Sequence, residues 1–187
     1  MSDLLGRNVL IIIPKSQFCD KELYGLKSTL IQRGVHVVIL SKSGQEARGM
    51  SGEKIQPDGL IIDWNKQSGV QGKYHAVILI GGKGAQKSLW DDPIVPQILT
   101  DHHRAGSVIG AMSSALVVLI QASLVTGEIP APLDGYTRKK LESLNVVYAK
   151  TPVTSLGNIV CGQGEGFVDE FSQTVLASIE ISEVFSK

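Results

Sequence analysis

Asn8-Val-Leu-Ile-Ile-Ile13, closed by Pro14, is an almost continuous apolar run. It is too short for a buried helix and reads as a strand covered on both faces. Residues 20–33 follow, with Leu23, Leu26, Leu30 and Ile31 at helical spacing and Gly34 at the C-cap. Val35-His-Val-Val-Ile-Leu40 reads as a second strand. Strand, helix and strand of these lengths make a βαβ unit, so the two strands run parallel.

The same alternation continues outward. Residues 42–72 are rich in Gly, Ser, Lys and Asp and read as a loop with a short antiparallel excursion at 54–56 and 59–63. Tyr74-His-Ala-Val-Ile-Leu-Ile80 is another buried strand, closed by Gly81-Gly82. A helical region over 85–104 is interrupted at Asp91-Asp92-Pro93, where Pro93 suits the first turn of a new helix. Residues 107–112 form a strand that runs straight into an apolar helix at 115–123. The tail holds a helix at 136–144, strands at 146–148 and 159–161, and a closing helix over 167–185. There is no repeat, linker or low-complexity segment. One domain over residues 1–187 is expected, a doubly wound, flavodoxin-like α/β sandwich with a mostly parallel sheet and helices on both faces.

Composition narrows the function. Of 187 residues, 18 are basic and 18 acidic, so the net charge is zero and no basic stripe invites nucleic acid. The longest apolar runs, such as 115–120, fall far short of the roughly 18–20 residues that span a bilayer, so no membrane partner is expected. The first residues lack the pattern of a signal peptide, and the two cysteines, Cys19 and Cys161, are far apart in sequence. A cytoplasmic protein with reduced thiols is expected, although the two could meet in space as a redox pair. His102-His103 are adjacent on a helix and do not face one direction, so no metal is expected. Gly81-Gly82-Lys83-Gly84 is a glycine turn without a nucleotide-binding fingerprint, and no cofactor is expected.

Ligands in such a sheet sit beyond the carboxyl ends of the strands. Four loops qualify: 14–21, 81–84, 112–115 and 162–166. Their order and content resemble the ThiJ/PfpI superfamily, which has a class I glutamine amidotransferase-like fold and includes intracellular protease I, the Parkinson-disease protein with its deglycase and glyoxalase claims, and small stress chaperones. The resemblance covers nearly the whole chain. It rests on Gln17-Phe-Cys-Asp-Lys-Glu-Leu23, Ile80-Gly-Gly-Lys-Gly-Ala85 with Leu89-Trp-Asp-Asp-Pro93, Gly106-Ser-Val-Ile-Gly-Ala-Met-Ser-Ser-Ala115, Leu156-Gly-Asn-Ile-Val-Cys-Gly-Gln-Gly-Glu-Gly166, and Glu170-Phe171.

The resemblance implies a nucleophilic cysteine on the sharp turn after the 107–112 strand. Counted from Gly106, that position falls on Met112, whose thioether has no ionisable proton. The histidine that often follows is Ser113, and a second one falls near Ala131. An anion-binding arginine loop has become Gln163-Gly-Glu-Gly166. Glu22, the carboxyl that would bond the thiolate, is kept and must find Ser113, Ser114, a water or a ligand instead. Oxyanion-type backbone donors fall on Gly82 and Ser113. Ser113 and Ser114 otherwise read as helix caps. Neither His36 nor His75, His102 or His103 is placed to serve a serine nucleophile, although the helix dipole favours positive charge on the last two. Cys19 has Asp20 and Glu22 nearby to raise its pKa and Lys21 to oppose them.

The leading expectation is a degenerate, non-catalytic member of that superfamily, a stress-related protein that binds a small molecule or a partner and forms a homodimer by resemblance. Its pocket would be lined by Cys19, Glu22, Gly82, Met112, Ser113 and Gln163. The rivals are a hydrolase or glyoxalase/deglycase-like enzyme using Ser113 or Cys19 with Glu22, and a holdase chaperone. If Glu22 points at a different nucleophile, the degenerate-site reading fails.

Overall fold

β1 (Asn8–Ile12) lies inside the sheet, between β2 (His36–Ser41) and β6 (Ala76–Leu79) and parallel to both, with Leu10 opposite Val38 and Val77. Along it, Leu10 and Ile12 face one core while Val9, Ile11 and Ile13 face another. This is why the run has no polar alternation: a side chain on either face leaves water. The computed structural model describes residues 3–182.

The main sheet is completed by β5 (Gly59–Leu60), β7 (Val108–Met112), β10 (Val153–Leu156) and β11 (Ile159–Gly162), in the order β10-β11-β7-β6-β1-β2-β5. All neighbours are parallel except β10 and β11. On one face α1 (Asp20–Gln32) and α6 (Val168–Ile181) bring Leu23, Leu26, Leu30, Phe171, Val175 and Ile179 onto the sheet. The other face is covered by α2 (Ala85–Ser88), α3 (Val95–Arg104), α4 (Leu116–Gln121) and α5 (Gly135–Ser143). The chain is thus a single α/β domain with a mostly parallel central sheet between helices. Two small ribbons lie outside it: β3 (Ala47–Arg48) with β4 (Lys54–Ile55), and β8 (Glu128–Pro130) with β9 (Val147–Ala149).

Several details differ from expectation. Residues 59–63 are not an arm of an antiparallel excursion: β5 pairs parallel to β2, and Ile61–Lys66 coils as a 3-10 helix. Pro93 does not open α3. Asp92 accepts the Ile94 and Val95 N–H groups at 2.9 and 3.1 Å, and it is Pro96 that stands in the first turn. The closing helix runs to Ile181, and its expected extension over 183–185 falls outside the described residues. His102 is fully buried and neutral rather than dipole-charged. Burial pulls its pKa down to about 4, its Nδ1 bonds the Ile98 carbonyl oxygen at 2.7 Å, and Trp64 packs on its ring.

Candidate functional site

The parallel register brings four carboxyl strand ends to one edge, with Gly162 of β11 directly opposite Met112 of β7. There β7 stops and the chain turns through a 3-10 turn (Ser113–Ala115) into α4. Met112 is extended (φ −125°, ψ 149°), whereas Ser113 has φ +48°. A non-glycine residue in that left-handed region costs about 1–2 kcal/mol, so the surroundings must hold it there. Glu22 does so. Its Oε2 lies 2.9 Å and its Oε1 3.3 Å from the Ser113 hydroxyl, and Oε1 also accepts the Gly81 N–H at 3.1 Å. Gly81 must be glycine, because a Cβ would lie 2.0 Å from Ser113 Oγ.

The residue presented by the turn is therefore Ser113, one position beyond the expected one. Met112 is fully buried in the α1/α6 core, with Gly162 so close that a Cβ there would lie 2.9 Å from Met112 Cγ. Of the six residues expected to line the pocket, Cys19, Glu22, Gly82, Ser113 and Gln163 do so, and Met112 does not. Glu22 is 2% exposed, and burial pushes its pKa up against the opposing hydrogen bonds of Cys19, Gly81 and Ser113. Burial thus works against the carboxylate form that a general base for the hydroxyl would need.

The expected oxyanion donor at Gly82 is occupied. Its N–H donates to Ser114 Oγ at 3.0 Å, and the same hydroxyl donates to the Gly82 carbonyl at 2.8 Å. Ser114 therefore ties two loops together and does not cap α4. The rest of the glycine loop is equally engaged: Gly81 N–H with Glu22, Lys83 N–H with Met50 Sδ, and Gly84 N–H with the Gln17 carbonyl. No backbone donor from Gly81 to Gly84 is left to cradle a phosphate.

Cys19 is buried, its Sγ 3.7 Å from Glu165 Oε2. Burial first, and then the Glu22 carboxyl, push its thiol pKa far up. Asp20 takes no part: its carboxylate accepts the Ser51 and Glu53 N–H groups at 2.7 and 3.2 Å. Lys21 pairs instead with Glu165 at 3.7 Å. Cys161 lies in the core of the opposite face, pushed up to about 12 by burial. Both cysteines are free in the structure. His36 opens β2, His75 precedes β6, and His102 and His103 end α3. All lie toward the amino edge of the sheet, away from Ser113. Among the described residues no cluster of three or more His, Cys, Asp or Glu could hold a metal ion.

Over Ser113 opens a cavity of about 650 Å³. Gln163, which donates to the Ala131 carbonyl at 2.8 Å, pins one wall. Trp90 forms another, its indole N–H donating to the Ser114 carbonyl at 2.7 Å and its ring stacked on Tyr136 with centroids 5.8 Å apart. Met50, Leu133 and Phe167 complete an apolar mouth, with Glu165 beside Cys19. The sequence reading missed this aromatic wall. Trp90 stands in a quoted motif, but Tyr136 belongs to a polar helix with no periodicity toward the site.

The mostly parallel α/β sheet between helices is the fold of the DJ-1/ThiJ proteins. The chain belongs to the DJ-1/PfpI family, whose model matches residues 7–178. It is 26% identical over 182 residues to an uncharacterized protein of Methanocaldococcus jannaschii, covering 95% of this chain and 85% of that one. It is 25% identical to the Parkinson disease protein 7 homolog of Danio rerio, covering 97% and 94%. Identity to a glutathione-independent glyoxalase of Caenorhabditis elegans is 22%, covering 93% and 89%. In fold it is similar to a ThiJ/PfpI domain protein from Brachyspira murdochii (TM-score 0.81, 20% identity, 94% and 97% covered) and to DJ-1beta of Drosophila melanogaster (TM-score 0.75, 20% identity, 96% and 95% covered).

Proposed function

We propose that this chain is a non-catalytic member of the family that binds a small molecule in the cavity over Ser113. The observation that carries the reading is the Ser113–Glu22 pair. The elbow holds a hydroxyl, and its hydrogen-bond partner is a buried carboxyl whose charged form burial disfavours. A serine without a base is a poor nucleophile, and a strongly raised Cys19 thiol is another. Glu22 points at the Ser113 hydroxyl, which overturns the sequence-based case built on Met112. What is lost is the ionisable character of the elbow residue and of its surroundings, not the side chain at Met112. Incubation with methylglyoxal, a glycated peptide and p-nitrophenyl acetate tests it. No turnover above a Ser113→Ala control is expected; turnover abolished by that substitution sinks the reading.

A second reading is favoured by the strained φ of Ser113 and its 2.9 Å approach to Glu22. A glutamate that ionises late would become the base for Ser113, giving a hydrolase with an alkaline rise in kcat/KM. Fluorophosphonate labelling of Ser113 at high but not neutral pH would establish it. A holdase chaperone is a rival to this proposal; a homodimer, a stress-related role and a cytoplasmic setting belong to it. The zero net charge and free thiols are consistent with them. Suppression of client aggregation, and sedimentation at micromolar concentration, test the first two.

A further inference from the structure

We propose that the cavity takes a small amphipathic cation, an amine or quaternary ammonium on an aromatic or aliphatic body, with its charge at Glu165 and its body against the Trp90–Tyr136 wall. This rests on the binding reading above and names its ligand class. Glu165 reaches the cavity from the loop after β11, with Oε2 3.7 Å from Cys19 Sγ. A thiol is a weak donor, so within the protein that oxygen has no strong partner, and an ammonium placed there makes a charge-assisted hydrogen bond. The existing cation, Lys21, is 70% exposed and only 3.7 Å from the other oxygen, Oε1, a loose pair on the solvent side.

The field at the floor has the matching sign. The Glu165 carboxylate adds to the rise that burial imposes on the Cys19 thiol, so an anion placed beside it meets the same repulsion. Aromatic groups supply the rest of the complement. Trp90, Tyr136 and Phe167 line the cavity, and rings of this kind attract an organic cation through their faces while burying its apolar body. Two lysines, Lys83 and Lys87, also line the cavity. Lys83 adds to the Thr137 hydrogen bonds that hold the Asp134 carboxyl below its usual range, and Lys87 stands on α2. A ligand with the opposite charge would have to lie the other way round, its anion by Lys87.

Two probes of one shape and opposite charge decide the matter: 2-phenylethylamine and 3-phenylpropionate, titrated by calorimetry into the intact protein. The amine is expected to bind at least about tenfold more tightly. Glu165→Gln should weaken the amine about fivefold, and Lys21→Gln should strengthen it. Glu165 is more than half exposed, so an unchanged thermal melt is expected to accompany the loss. Tighter binding of the carboxylate, binding of neither probe at millimolar concentration, or an amine preference that survives Glu165→Gln each overturns the cation assignment while leaving a non-catalytic pocket standing. Chemical conversion of either probe, read by chromatography after long incubation, overturns the binding reading itself.

Discussion

Between Met112 and Ser113 the backbone passes from extended to left-handed, and the two side chains part company. Val108 and Met112 continue one buried face of the strand while Ile109 and Ala111 continue the other; Ser113 leaves the sheet altogether. In Ala-Met-Ser-Ser no glycine marks the positive φ, so counting along the chain stopped one residue early. The glutamate below was legible from its place on α1, and its partner Ser113 only as one of four candidates. Ser113→Cys tests the elbow. The new thiol would stand at the first turn of a helix, where thiolate is favoured. It should be alkylated by iodoacetamide at neutral pH at least about tenfold faster than Cys19 or Cys161, as read by peptide mass mapping. Equal labelling at Cys19 would contradict the shielding described for it. Glu22→Gln keeps an acceptor for the Gly81 N–H and should cost little. Glu22→Leu leaves that buried donor unpaired and should cost about 1–3 kcal/mol in urea denaturation.

Elements with long apolar runs were readable because the central strands are buried on both faces. β8 and β10 were not: Glu128–Pro130 is too short, and Val153–Leu156 is half polar with two exposed residues. Such strands exist because a neighbour pairs with them, which a single segment does not announce. The site loops follow a different rule, close approach of backbones. A Cβ on Gly84 would lie 1.7 Å from the Ser16 carbonyl oxygen, a backbone atom that cannot swing aside. Gly84→Ala should cost about 2–3 kcal/mol and disturb the cavity mouth. Gly135 begins α5 with nothing within 4 Å of its missing Cβ and no positive φ. Gly135→Ala should leave stability unchanged or raise it by about 0.5 kcal/mol. Thermal melts of the pair separate crowding from glycine content. A mild Gly84→Ala would show that the loops move apart freely.

For the whole molecule, two buried titratable groups set opposite limbs of the pH–stability curve. His102 is held neutral, its folded pKa drawn from 6.5 to about 4 by burial. Between those values the unfolded chain binds more protons, so stability falls as pH drops through the window, by on the order of 3 kcal/mol. His75, also lowered by burial and by Arg7, adds to the same limb. Glu22 acts in reverse. Its folded pKa is raised above 4.5, so its contribution is complete below that value and is lost as pH rises toward the folded one. From pH 4.5 upward the two groups oppose each other until one of the two windows closes. His102→Phe keeps a ring against Trp64 and Tyr74 and removes a buried Nε2 that has no hydrogen-bond partner. It should match or exceed the parent's stability at neutral pH and flatten the acid limb, leaving the share of His75. Glu22→Gln should flatten the descending limb above pH 4.5 and leave the acid side steeper. Urea midpoints taken from pH 4 to 9 on the parent, each variant and the double variant read both limbs. An acid limb unchanged by His102→Phe would place the acid sensitivity elsewhere in the chain.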